Sequence, residues 1–214
     1  MPLELICEHE QASQRLTVVL DLTPPEEYAT RGILGKIKFF PAEITLFAPA
    51  DGNYVRQRFT LAHELGHYFL NHSRYMFSEY CQENDFTIND FAANASFLHK
   101  LEWQANRLAS CLLLPFEPFV TDFLLLADHL GLKDKGFGVL YLDHQPCNKS
   151  KYNIVSAFLT SQYKVSRTVV KIRLEEFGLL TDGRNFVTPS SSRRSSLTKV
   201  NQTISNSDWL RQQK

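Results

Sequence analysis

Apolar and polar positions alternate along this chain in patterns that mark out its elements. Thr17–Leu22 is a short, mostly apolar run stopped by Pro24 and Pro25, which predicts a strand. Lys36–Phe40 and Glu43–Phe47 alternate polar and apolar residues on either side of Pro41 and Ala42, which predicts a β-hairpin. Asp51-Gly52-Asn53 reads as a turn. After it, Leu61, Leu65 and Phe69 recur at helical spacing and predict a helix that buries that face. From Ser73 to Ser96 the periodicity weakens into an aromatic and polar stretch. Such a stretch is either a lid or binding loop, or a variable structural insertion. A second helix is predicted from Phe97 to Leu114, stopped by Pro115, and a third from Pro118 to His129, ended by Gly131. Residues 132–150 look loop-rich. Ile154–Leu159, a turn at Tyr163-Lys164-Val165 and a helix from Ser166 to Phe177 then outline a helix–turn–helix pair. In it Ser166 serves as N-cap, Val165 and Val170 as a staple, and Gly178 as the residue past the helix end. Beyond Thr181 the chain turns to Ser, Thr, Asn, Gln and Arg, the composition of a disordered tail.

The first predicted helix carries His63-Glu64-Leu65-Gly66-His67, an H-E-x-x-H pattern. Residues four apart lie about 40° apart around a helix axis, so both imidazoles leave one face. That spacing suits two nitrogens on one Zn²⁺, with Glu64 close enough to work on a water without ligating the metal. The flanking Leu61, Leu65 and Phe69 lie on the opposite face, so the helix is expected to be buried there with its histidines turned away. Gly66 weakens a helix and needs a reason; close approach by a substrate backbone is one.

Composition narrows the setting. At 214 residues the chain can bury a core, and its formal net charge of zero supplies no global attraction for nucleic acid or an anionic membrane. Cys7, Cys81, Cys111 and Cys147 are scattered with no C-x-x-C pair, which fits a reducing compartment, with Cys111 read as a core residue. The early residues lack the basic and apolar regions of a secretory signal, and no apolar run approaches the ~20 residues of a membrane span. The expected location is the cytoplasm.

A catalytic zinc site takes three protein ligands and leaves one position for water. His72 would sit roughly 180° around a continuing helix from His63, so it is expected to face away as a surface histidine. Glu102 and Asn106 are four apart on the second helix and share a face. Glu102 is suited to be the third ligand, with Asn106 accepting the free ring N–H of a ligand histidine. His99, one turn earlier, is the alternative ligand, while His129 and His144 have no spacing that singles them out.

The blocks Arg58-Phe59-Thr60-Leu61-Ala62-His63-Glu64-Leu65-Gly66-His67 and Glu102-Trp103-Gln104-Ala105-Asn106, the latter running into Leu112-Leu113-Leu114-Pro115, resemble the ImmA/IrrE family of gluzincin-like zinc metallopeptidases. The helix ending Arg173-Leu174-Glu175-Glu176-Phe177-Gly178-Leu179 resembles the helical segment that follows the protease core in that family. The resemblance implies an α+β fold: a zincin-like core with a small antiparallel sheet packed on the H-E-x-x-H helix and a Glu-bearing helix, followed by a small helical segment. The expected organisation is a metallopeptidase domain over residues 1–148, a helix–turn–helix-like segment over 149–181 and a tail over 182–214.

By the same resemblance His63, His67 and Glu102 are ligands of one Zn²⁺ per chain and Glu64 is the general base. Asn106 stands where the family has Asn or Asp. The implied reaction is hydrolysis of a peptide bond in a helix–turn–helix transcriptional repressor encoded nearby, by metal-activated water. Tyr75, Tyr80, Tyr141 and His144 are candidate oxyanion donors. Glu43–Phe47 is a candidate sheet edge for an extended substrate. A different reading has residues 153–178 contact DNA through Lys164, Arg167, Lys171 and Arg173, around a structural zinc site. Glu175 and Glu176 offset those charges, so direct nucleic-acid binding is not expected. A third reading, a sensor that recognises a partner without cutting it, has no need of Glu64.

Overall fold

Eight consecutive residues, Thr60–His67, are buried within one helix, α3 (Tyr54–Phe69). A computed structural model describes residues 3–49, 51–82, 96–134 and 136–185 of the chain. The centre of the Ser73–Ser96 stretch read as a lid or insertion, residues 83–95, and the tail from residue 186 onward lie outside the described residues. Asn53 caps α3, its Oδ1 accepting from the Arg56 N–H at 3.1 Å, and Asn71 ends it by taking the left-handed conformation at φ 57. The predicted helix is therefore present, but it is not one-faced. A sheet covers one side and a second helix the other, so the histidines are enclosed rather than turned outward, while Phe69 at the helix end is 44% exposed.

The chain is α+β and divides into two compact units, Met1–Glu117 and Pro118–Lys214. The first unit opens with α1 (Leu3–Ala12), which the apolar pattern did not predict. Next come β1 (Thr17–Leu22), the short α2 (Glu26–Thr30), β2 (Ile33–Phe39) and β3 (Ala42–Phe47). After α3 a 3₁₀ turn at His72–Arg74 leads to β4 (Ser78–Gln82), and α4 (Phe97–Leu113) completes the unit. The strands stand in the order β1-β3-β2-β4. The expected hairpin forms, with Ile37 opposite Ile44 and Phe39 opposite Ala42. The sheet is mixed rather than purely antiparallel, because β1 runs parallel to β3 with Val18 beside Ile44.

That order corrects one expectation. Glu43–Phe47 is not a sheet edge: β3 has β1 on one side and β2 on the other, and Ile44, Thr45, Leu46 and Phe47 are all buried. An interior strand has no open backbone to offer an extended substrate.

Helix α4 is capped by Ser96, whose hydroxyl accepts from the His99 N–H at 3.2 Å. Its buried stripe is Leu101, Glu102, Ala105, Asn106, Ala109 and Leu113. Two polar side chains thus occupy core positions, and the stripe lies against α3. Two glycines permit the close packing. A Cβ on Gly35 would stand 2.8 Å from Thr60 Cγ2 of α3, and one on Gly66 would stand 2.8 Å from the backbone oxygen of Ala105. Gly66 is therefore explained by the approach of α4, not by a substrate backbone.

Helix α5 (Phe116–His129) begins at the boundary, and the second unit continues with β5 (Leu140–Leu142), α6 (Pro146–Tyr163), α7 (Arg167–Glu176) and β6 (Leu180–Asp182). The stretch 132–150, read as loop, holds β5 and the start of α6; β5 pairs in parallel with β6. The first turns of α6 are largely exposed, so no apolar stripe announces them. The turn and second helix follow the sequence reading. Ser166 Oγ accepts from the Val169 N–H at 3.3 Å, Val165 and Val170 are buried, and Gly178 takes φ 67. Phe119 supplies the centre of this unit, its ring 5.5 Å from that of Tyr163 and 5.9 Å from that of Phe177. No single helix among the described residues is long and apolar enough to cross a membrane, and the four cysteines are free thiols, Cys111 only half-buried.

The packing of α3 on α4 makes Gly66→Ala a direct test. The methyl meets backbone, which cannot swing aside, so overpacking outweighs the roughly 1 kcal/mol of helix propensity that alanine adds. Denaturant unfolding is expected to show a net loss of about 1–3 kcal/mol; an unchanged or raised midpoint contradicts the close approach.

Candidate metal centre

The polar side chains of the α3–α4 contact gather at one point. His63, Glu64 and His67 are fully buried at 0% exposure, and Glu102 and Asn106 are nearly so. Burying this many polar groups is costly unless each has a partner. His63 has one in Asn106: its Nδ1–H donates to Asn106 Oδ1 at 2.9 Å, which leaves the Nε2 lone pair on the other side of the ring. There Nε2 of His67 stands 3.0 Å away, and Oε2 of Glu102 lies 3.2 Å from His63 Nε2 and 3.5 Å from His67 Nε2. His63, His67 and Glu102 thus form a buried triangle of ligand-capable atoms.

Burial drives His67 toward its neutral form, lowering its pKa from 6.5 to about 4 against the opposing pull of Glu102. For Glu102, burial works to raise the pKa, but the contacts from His63 and His67 outweigh it and hold the carboxyl below its usual range. A cation among these atoms would let both imidazoles face it with lone pairs while Glu102 stays ionised. Three electron-rich atoms in contact repel one another unless a cation lies among them. Two ligand atoms about 2.0–2.1 Å from one tetrahedral zinc-sized ion stand about 3.3 Å apart. The observed separations of 3.0, 3.2 and 3.5 Å bracket that value. The donor set fits a metal.

The other sequence candidates are not among these three converging ligands. His99 lies in the first turn of α4 and is not one of the three converging ligands. Tyr80 packs edge-on against Tyr28 at 5.6 Å, and Tyr75 is 59% exposed beside Phe97. Tyr141 and His144 belong to the second unit. In that unit two of the four basic residues considered for DNA are engaged internally. Arg173 is buried, pairs with Glu176 at 2.9 Å and lies over Phe177, and Lys171 pairs with Asp182 of β6 at 2.9 Å.

His72 is where the structure most departs from the sequence reading. Expected on the surface, it is 1% exposed, with Nδ1 3.0 Å from Nδ1 of His67 and Nε2 3.2 Å from Oε1 of Gln104. The helix ends at Leu70, so the angular argument that carried His72 to the far side does not apply. Asn71, a residue type that tolerates the left-handed conformation past a helix end, is the signal that marks this.

Comparison with protein families finds the Peptidase_M78 model, the IrrE N-terminal-like domain, matching residues 52–175. Comparison with curated proteins returned no match.

The lowered pKa of His67 has a pH consequence. Between about pH 6.5 and pH 4 the unfolded chain binds a proton that the folded, metal-free protein does not. Stability from this group is therefore present above pH 6.5 and is lost as pH falls toward 4. Urea unfolding of the metal-free protein is expected to show a loss of up to roughly 3 kcal/mol over that interval. A flat profile contradicts a buried neutral His67.

Proposed function

The chain belongs to the IrrE N-terminal-like peptidase family, and on that premise we propose that it is a zinc-dependent endopeptidase. In this reading His63, His67 and Glu102 hold one zinc ion per chain. The observation that carries it is the convergence of three acceptor atoms, two imidazole nitrogens and one carboxylate oxygen, inside a buried contact that a cation would relieve. Two nitrogens and one oxygen suit zinc and leave a coordination position for chemistry.

When bound, the metal supplies the Lewis acidity that makes water a nucleophile near neutral pH and polarises the scissile carbonyl. The remaining work falls to side chains. Glu64 follows His63 directly on α3 and is buried at 0% exposure. It takes the proton of the attacking water and returns it to the departing amine, so one carboxylate serves as base and then acid. Asn106 keeps the proton of His63 on Nδ1 and so keeps its Nε2 available. The buried stretches of the two helices, Thr60–His67 and the Leu101–Leu113 stripe, carry the donors and hold them in place before substrate arrives.

The proposed substrate is a helix–turn–helix transcriptional repressor encoded beside this chain, cut at a defined site in the cytoplasm. The resemblance of the two motif blocks to peptidases that act on such repressors supports this. The internal pairing of Lys171 and Arg173 leaves the second unit a weaker basic surface for DNA and favours the peptidase over the DNA-binding reading.

Glu64→Gln is expected to keep the zinc content of the parent while lowering peptide-bond cleavage at least 10²–10⁴-fold, roughly the contribution of a positioned acid–base group. The measurement is cleavage of the neighbouring repressor by zinc-loaded parent and variant, with metal quantified in each. Equal rates would overturn the assignment of the base; a parent that binds no zinc would overturn the metal.

A further inference from the structure

Past α3 the chain makes a turn that the H-E-x-x-H pattern does not require. Asn71 reverses the backbone at φ 57 and ψ 43, and the 3₁₀ turn brings His72 back against the ring of His67, with centroids 4.9 Å apart. Both nitrogens of this buried imidazole have neighbours, Nδ1 with His67 Nδ1 and Nε2 with Gln104 Oε1.

With the Gln104 amide oxygen facing His72, one arrangement of protons on neutral rings satisfies both contacts. An amide oxygen only accepts, so His72 Nε2 carries the hydrogen. A neutral imidazole has one N–H, so His72 Nδ1 is then an acceptor. The partner at 3.0 Å, His67 Nδ1, must donate to it. His67 is left with its lone pair on Nε2, the atom that faces His63 and Glu102. We propose that His72 is a positioning residue that holds His67 in the tautomer able to ligate a metal, with Gln104 setting the tautomer of His72 in turn.

The two motif histidines are thus oriented by different devices. An amide oxygen from α4 fixes His63, and a second imidazole backed by an amide fixes His67. Both devices are uncharged acceptors, so neither adds a negative charge beside the ligands. Turning the Gln104 amide over would reverse the relay: His72 would donate from Nδ1, and His67 would carry its proton on Nε2, where no metal could bind. The inference rests on His67 being a metal ligand, as proposed above, and its test separates the two ideas.

His72→Phe keeps a ring and removes the acceptor; His72→Gln restores an acceptor oxygen. In metal-free parent, nitrogen NMR of the His67 ring is expected to place its proton on Nδ1, and in His72→Phe to show both tautomers. By chelator competition, zinc affinity is expected to fall about 10–100-fold in His72→Phe and to recover most of that in His72→Gln. A parent His67 protonated on Nε2, or a folded His72→Phe with parental zinc affinity, overturns the proposal. Should His72→Phe fail to fold, Gln104→Leu at an exposed position decides: mixed His67 tautomers and weaker zinc binding support the relay, and parental behaviour in both overturns it. If the parent itself takes no zinc, the metallopeptidase reading falls, and the ring-proton result in metal-free protein alone judges the relay.

Discussion

The backbones of α3 and α4 approach so closely at Gly66 and Ala105 that no side chain fits between them, and every feature of the site follows from that approach. Metal-ligand distances are short, and a carboxylate from one helix can reach imidazoles on another only if the helices touch. Glu102 and Asn106 flank Ala105 on the buried stripe of α4, while His63 and His67 flank Gly66 on α3. The contact point thus lies in the middle of the polar group. On the other side of α3, Gly35 of β2 plays the matching part by letting the helix sink onto the sheet beside Thr60. Small residues set the spacing, and the polar residues use it.

A second constraint is the environment so created. Packing α3 from both sides puts His63, Glu64 and His67 out of water, where charge is costly and hydrogen bonds are directional. Neutral imidazoles and an ionised Glu102 are the protonation states that an N,N,O metal site requires. Burial drives His67 toward the neutral form, and Glu102 is held below its usual carboxyl range in spite of burial. The packing that stabilises the unit and the poise of the centre are therefore the same interaction seen in two ways.

Much of this was legible in the sequence. His63 and His67 declare themselves by spacing, whereas the shared face of Glu102 and Asn106 leaves His99 open as a ligand until the family resemblance points to Glu102. The hairpin of β2 and β3 shows in alternation around Pro41, and the capping of α7 in Ser166. What escaped has physical reasons. The parallel pairing of β1 with β3 joins strands distant in sequence, and alternation carries no information about strand direction. Helix α1 buries only Leu3, Cys7 and Glu10, too sparse a stripe to stand out. The place of His72 depends on where α3 stops, which a single backbone angle at Asn71 decides. Periodicity measures positions along a helix and is silent about its end.

The early stop of α3 also divides the centre by the length of chain each contact must close. The His67–His72 contact links residues five apart, whereas His63–Asn106 spans 43. For flexible loops that difference amounts to about 2 kcal/mol of closure entropy. One imidazole therefore finds its orienting partner within its own helix and exit turn, at little topological cost. The other depends on a partner that arrives only when the long segment between α3 and α4 has been closed. In the language of contact order, this candidate centre is half local and half long-range, and its two histidines are oriented by contacts that close loops of very different length.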